Sequence, residues 1–222
     1  DDVVIIGGGI IGAASAYFLS KEGRKVKVIE RDPTYKNASF PLSLGGFRRQ
    51  FFQKENILLG KFAREFISQI PDLLKTEKNP KPTASMVTNG YLLMFGPEHA
   101  EEQYKALENH KACEAGTKNI KGSELPKFFP YINSVGIETA TFTDNQSEGW
   151  IDPFMFHGAL KSKAMELGAE FIKGEVKTLS EIKANTIISA AGCWTKELLE
   201  DIPVEPQKHT GFRVKCPKHI AE

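Results

Sequence analysis

The chain has 222 residues, is 41% hydrophobic and 26% charged, and carries a formal net charge of +1. This fits one large or two small domains with a buried core. The near-neutral, scattered charge gives no general attraction to nucleic acid or anionic membrane. No run approaches the roughly 18 apolar residues of a spanning helix. Cys113, Cys193 and Cys216 form no CxxC pair, and none of the five histidines lies three or four residues from another. Neither a disulfide framework nor a metal site is expected, and a reducing compartment is the default. The chain lacks an initiator methionine, as a processed or cropped chain does, and its apolar start reads as a strand, not a signal peptide.

Val3-Val4-Ile5-Ile6 is a continuous apolar run, the pattern of a parallel strand covered on both faces. It drops into Gly7-Gly8-Gly9-Ile10-Ile11-Gly12, which contains G-x-G-x-x-G. Ile11, Ala14 and Phe18 recur at helical spacing and predict the stripe that packs on the strand, with Gly23 placed to stop the helix. Val26 to Glu30 reads as a second strand ending in an acid. Strand, glycine turn, helix, strand and acid within about 30 residues form a dinucleotide-binding unit. Gly7 would make the tight turn, Gly9 admit a pyrophosphate and Gly12 let the helix approach the strand. Ile10 and Ile11, in the first helical turn, would offer unpaired N–H groups to phosphate. Glu30 would accept from ribose hydroxyls and repel a 2′-phosphate, which disfavours NADP. The fingerprint alone leaves FAD and NAD both open, since each contains adenosine diphosphate.

After Glu30 the βαβ rhythm breaks off. "NASFPLSLGGFRRQ" reads as a loop of small residues, and Ile57, Leu58, Phe62, Phe66 and Ile70 predict a helix over 55–70 that Pro71 stops. Residues 72–85 read as an exposed loop, and 86–95 as a hairpin turning at Asn89-Gly90. A surface helix follows over 98–115, then a short helix over 122–130 capped by Ser123, and a strand over 136–143. Asp152 is placed to cap a helix from Pro153 to Leu167, closed by Gly168. "AEFIKGEVKTL" predicts two strands and "NTIISA" another, running into Ala190-Ala191-Gly192. Trp150 and Trp194 read as packing residues, and His157 as a packing or helix-surface residue.

At "NTIISAAGCWT", read with the fingerprint and "EGWIDP", the chain resembles the D-amino-acid-oxidase-like flavoprotein superfamily. The blocks "LGGFRRQF", "EGWIDPFMFHGALKSKAMELGAEFIKGEV" and "IPVEP" resemble, more narrowly, a mitochondrial member linked to respiratory complex I assembly. The resemblance implies an α/β fold: a Rossmann-like FAD-binding domain with an inserted mixed α+β substrate domain, its C-terminal part missing. The FAD-binding domain would span 1–50 and 150–202, and a partial antiparallel-sheet substrate domain 51–149 and 203–222. Relatives continue past "VEPQKHTGFRVKCPKHIAE", so the chain is expected to be a portion of a longer protein.

The resemblance implies that Gly7, Gly9, Gly12 and Glu30 hold the FAD adenosine and pyrophosphate, with Arg31 at the adenosine end. Val176 would meet the adenine through its backbone, while Ala190, Ala191 and Gly192 lie beside the FAD. Ser39 and Ser43 belong to a loop approaching pyrophosphate and flavin, and Gly45, Gly46 and Arg48 would lie near the isoalloxazine. Arg48 is the catalytic candidate, since a guanidinium there favours an anionic reduced flavin and attracts a substrate carboxylate. Phe40 and Pro41 depart from the family, which carries small or hydroxylated residues there. No histidine precedes His99, so the N-terminal His–flavin bond of one branch cannot form and FAD is expected to be non-covalent. The implied activity is oxidation of a small-molecule amine or amino acid, in a mitochondrial setting. Two alternatives stand beside it: an FAD-binding assembly factor acting with respiratory-complex subunits, and an NAD-dependent dehydrogenase.

Overall fold

The computed structural model of the chain describes residues 2–143, 146–212 and 215. In chain order these form β1 (Val3–Ile6), α1 (Ile10–Lys21), β2 (Val26–Glu30), β3 (Gly46–Phe47), α2 (Lys54–Ser68) and α3 (Ile70–Leu73). Then come β4 (Leu92–Phe95), α4 (Pro97–Ala112), β5 (Lys118–Lys121), α5 (Leu125–Phe128) and β6 (Thr139–Phe142). The last run is β7 (Gly149–Trp150), α6 (Pro153–Glu166), β8 (Glu170–Lys173), β9 (Thr186–Ser189) and α7 (Thr195–Leu198). The chain divides into two compact units, one built on Asp1–Gly45, Gln69–Ser85 and Asp152–Gly211, the other on Gly46–Ser68 and Met86–Ile151.

The first unit holds a parallel sheet in the order β8-β2-β1-β9. Its inner strand β1 is apolar at every position because both faces are covered, and none of its side chains exceeds 5% exposure. The helix α1 forms where expected, but it presents a different face. Ala13, Ala16, Tyr17 and Ser20 are buried, while Ile11 and Phe18 are exposed. The reason is steric: α1 packs closely against α6, and small residues permit that approach where Ile11 and Phe18 would hold the helices apart. Gly23 does end the helix, at φ +76.

The N-terminus of α6 follows its sequence signals. The Asp152 carboxylate accepts the Met155 N–H at 2.9 Å, and Pro153 occupies the first turn, where no N–H is needed. "AEFIKGEVKTL" supplies one strand, not two, because after Gly174 the chain leaves the sheet to wall a cavity. The segment read as an exposed loop over 72–85 contains Leu74, Thr76 and Ala84 in buried positions. Pro71 lies in the first turn of α3, so it opens a helix as well as following one.

The second unit is built on the antiparallel sheet β4-β6-β5. Its central strand buries Thr139, Ala140 and Thr141 completely, and Ile120, Leu125 and Ala140 form a small core with Leu92, Phe129, Ile132 and Phe142 around it. No hairpin turns at Asn89-Gly90: β4 pairs with β6, and Val87 forms a bridge to Trp150. Gly90 has the positive φ of a turn residue, +77, but its N–H donates to the Glu148 carbonyl. On α2 only Ile57 and Ile67 are buried, leaving Leu58 and Phe62 exposed. Ser123 sits within a 3₁₀ turn, Gly122–Glu124, and caps nothing. Cys113 and Cys193 are free, while Cys216 lies outside the described residues. Among the described residues no cluster suits a metal, and no helix is long and apolar enough to cross a membrane.

Asp152→Ala is expected to lower stability by about 1 kcal/mol, the usual worth of such a cap, with Asp152→Ser retaining most of it. Denaturant unfolding midpoints measure both.

Candidate cofactor site

The glycine turn is fixed by contacts that leave no room for side chains. Gly7 has φ +96, and a Cβ on it would stand 2.5 Å from the Ala190 carbonyl oxygen at the end of β9. A Cβ on Gly12 would collide with the Gly7 carbonyl oxygen. Gly9 differs, because a Cβ there would meet nothing within 4 Å. Gly7 and Gly12 are therefore required by packing, whereas Gly9 keeps its backbone bare toward open space. The first bond within α1 runs from the Ala13 N–H to the Gly9 carbonyl at 2.8 Å. The N–H groups ahead of it, including those of Ile10 and Ile11, have no helical acceptor and carry the positive end of the helix dipole.

A cavity of about 440 Å³ opens at the carboxyl ends of the parallel strands. Gly7, Gly9, Ile10, Ile11, Glu30 and Arg31 line it from the fingerprint side. Ser39 and Ser43 line it from the loop after β2, and Val176, Ala190, Ala191 and Gly192 complete the opposite wall. Gly12 acts through packing and is not in the wall. Gly45, Gly46 and Arg48 do not line this cavity. Gly46 and Arg48 belong to the second unit, where a Cβ on Gly46 would strike the Tyr91 hydroxyl and Arg48 stacks on Phe51, 4.7 Å from the ring centre. There a buried carboxylate fixes the backbone next to Arg48. Glu148 accepts from the Arg49 N–H at 2.5 Å, the Gln50 N–H at 3.1 Å, the Gln50 side chain at 2.8 Å and the Thr143 hydroxyl at 2.7 Å.

Glu30 is held in a fixed orientation. One carboxylate oxygen accepts the Gly8 N–H and the other the Asp32 N–H, both at 2.7 Å. Each oxygen keeps a further lone pair for a ribose hydroxyl. Arg31 lies over the Trp194 ring, 4.3 Å from its centre, and 3.8 Å from the Glu175 carboxylate. Trp194 is thus part of the cavity wall, not of a core. Phe40 also lines the cavity and makes an edge contact with Phe156, so this part of the wall is aromatic.

Three site residues escaped the sequence reading as a group. Tyr35 lines the cavity at φ +56, and its hydroxyl accepts from Lys161 at 3.1 Å. Burial, aided by the Glu30 and Asp32 carboxylates, pushes its pKa up to about 12, so it stays a phenol. His157 is buried, as the packing reading expected, and its Nε2 lies 2.8 Å from the Gly8 carbonyl oxygen. A carbonyl only accepts, so Nε2 carries the proton. Burial lowers the His157 pKa, and Lys161 adds to this, while the Gly8 bond and Glu30 oppose it. Burial likewise lowers that of Lys161, against the pull of Glu30. The available signal was the spacing of His157 and Lys161, four apart on α6 beside the buried Leu160 and Ala164.

A fixed glycine cradle, a helix terminus without acceptors and an oriented acid are what an adenosine diphosphate group requires, and the residues fit FAD. Comparison with known proteins agrees. Residues 2–222 match the FAD dependent oxidoreductase family. FAD-dependent oxidoreductase domain-containing protein 1 of Xenopus laevis is 31% identical, over 97% of this chain and 54% of the relative. L-proline dehydrogenase from P. horikoshii aligns at TM-score 0.68 and 23% identity, covering 89% of this chain and 54% of that one. Glycine oxidase from Geobacillus kaustophilus aligns at TM-score 0.70 and 19% identity, over 89% and 56%. The fold and site define a flavin-binding α/β protein of the D-amino-acid-oxidase type. The chain belongs to the FAD-dependent oxidoreductase family, and its cofactor is FAD, which sets aside the nicotinamide reading. It spans about half the length of the relatives it matches.

Gly9→Ala is expected to leave the unfolding midpoint of the FAD-free protein unchanged while weakening FAD at least about tenfold, a 1.4 kcal/mol effect. Gly12→Ala is expected to lose both stability and FAD; calorimetry and flavin titration separate the two. The lowered pKa of His157 carries a sign as well. As pH falls from about 6.5 the unfolded chain takes up that proton before the folded one, so stability drops toward the lower folded value. Melting between about pH 7.5 and 5.5 is therefore expected to fall more steeply in the wild type than in His157→Gln.

Proposed function

We propose that the protein containing this chain oxidises a secondary or tertiary amine, or an amino acid, with non-covalently held FAD as acceptor. The observation that carries the reading is the cavity at the strand ends, where Gly9, the start of α1 and Glu30 converge in a chain of this family. Bound FAD would supply the redox chemistry as acceptor of a hydride from the carbon beside the substrate nitrogen, leaving an imine, or an iminium ion from a tertiary amine, for water to hydrolyse. The protein's part is mostly placement. Ile10 and Ile11 offer N–H groups to the pyrophosphate, Glu30 holds the ribose and Val176 borders the adenine. Arg48, on a backbone anchored by Glu148, is proposed to attract a substrate carboxylate. The amine class draws support from relatives named for proline, glycine and sarcosine.

A second reading follows the likeness to FAD-dependent oxidoreductase domain-containing protein 1. In it the protein is an FAD-binding factor in mitochondria that assists assembly of respiratory complex I. A Gly9→Val variant without FAD that still restored assembly would favour this reading over catalysis.

The test is purification of the full-length protein. A flavin spectrum that survives gel filtration, cofactor release on acid denaturation, and anaerobic bleaching by an amine or amino acid are expected. Arg48→Ala is expected to raise KM for a carboxylate-bearing substrate about tenfold or more, with less effect on one lacking the carboxylate. Colourless protein that takes up no FAD contradicts the proposal.

A further inference from the structure

We propose that His157 is a positioning residue for the cofactor: it locks the Gly8–Gly9 peptide so that the Gly9 N–H faces the pyrophosphate. The inference rests on the FAD reading above and concerns a residue outside the βαβ fingerprint.

The two glycines make a lock necessary. A peptide flanked by glycines on both sides can rotate between orientations that side chains would forbid. Gly9 stands open, with nothing within 4 Å of where a Cβ would be, so no side-chain packing there holds that end of the peptide. The peptide plane couples its two polar groups, since in a trans peptide the Gly8 carbonyl and the Gly9 N–H point in opposite directions. Holding the carbonyl toward α6 therefore turns the Gly9 N–H away from α6, toward the cavity that Gly9 lines.

His157 supplies that hold. Its Nε2 reaches the Gly8 carbonyl oxygen at 2.8 Å from a ring only 4% exposed. The preceding N–H, that of Gly8, is tied to Glu30 at 2.7 Å. Gly8 is thus gripped on both sides, by the ribose-binding acid and by the imidazole. The ring is itself wedged in place, edge to face with Tyr35 at 4.4 Å between centres. Tyr35 is in turn pinned by Lys161, one helical turn beyond His157. The layer from α6 through His157 and Tyr35 to Gly8 gives the phosphate loop a backing that the fingerprint lacks.

The experiment uses the full-length protein and three variants. His157→Leu keeps bulk but has no donor, His157→Asn keeps polarity but is too short to reach Gly8, and His157→Gln places an amide N–H where Nε2–H stood. Affinity for FAD is read by flavin titration, competition by ADP and by adenosine is read by displacement, and FAD-free unfolding is followed by melting. The leucine and asparagine variants are expected to bind FAD and ADP about tenfold more weakly, with adenosine unchanged and glutamine restoring binding to within about twofold. Wild-type affinity for FAD and ADP in both weak variants overturns the assignment. So does a parallel loss of adenosine that glutamine does not repair, which would mark His157 as mere packing. Wild-type protein that binds no FAD contradicts the cofactor reading itself, a failure distinct from either of these.

Discussion

The close approach of two glycines governs the first unit. The start of α1 stands so near the loop it leaves that a Cβ on Gly12 would occupy the position of the Gly7 carbonyl oxygen. Gly7 in turn presses against the Ala190 carbonyl at 2.5 Å from where its own Cβ would be. These contacts tie the end of β1, the end of β9 and the beginning of α1 into one knot. With three backbones drawn together, the helix terminus points at the carboxyl ends of the strands and leaves a cavity there. Larger residues at either glycine would push the helix out and remove the donor array from its target.

Electrostatics then complete what sterics begin. The cradle places uncompensated N–H groups beside Glu30, whose negative charge is balanced by two backbone N–H bonds. The cavity offers an anionic group and a hydroxyl-bearing group separate partners: the N–H groups of the helix terminus and the remaining lone pairs of Glu30. Arg31 over Trp194 adds a cationic, planar wall beside Glu175 and Val176.

Much of this was legible because it is local. The order strand, glycine turn, helix and acid, the Asp152 cap and the Gly23 stop each follow from the conformational limits of a few neighbouring residues. The face of α1 was not legible. Hydropathy favours Ile11 and Phe18, but closeness to α6 favours Ala13 and Ala16, and Ile11 turns to the cavity instead. The hairpin at Asn89-Gly90 failed for a related reason: β4 found its partner in β6, far along the chain, and pairing overrode turn chemistry. Tyr35, His157 and Lys161 stayed hidden because their meaning is relational. His157 and Gly8 are 149 positions apart, and Tyr35 and Lys161 are 126 apart, separations that no motif spans. Arg48 shows the converse: family resemblance singled it out, yet it lies in the second unit and outside the described cavity.

The central claim is that the cavity of the first unit receives the adenosine diphosphate half of FAD, with Glu30 on an unphosphorylated ribose. Displacement of bound FAD from the full-length protein by ADP and by 2′-phosphorylated ADP tests this most directly. ADP is expected to compete and its 2′-phosphorylated form to compete far more weakly, repelled by the Glu30 carboxylate. Equal competition by the two, or none by either, would contradict it.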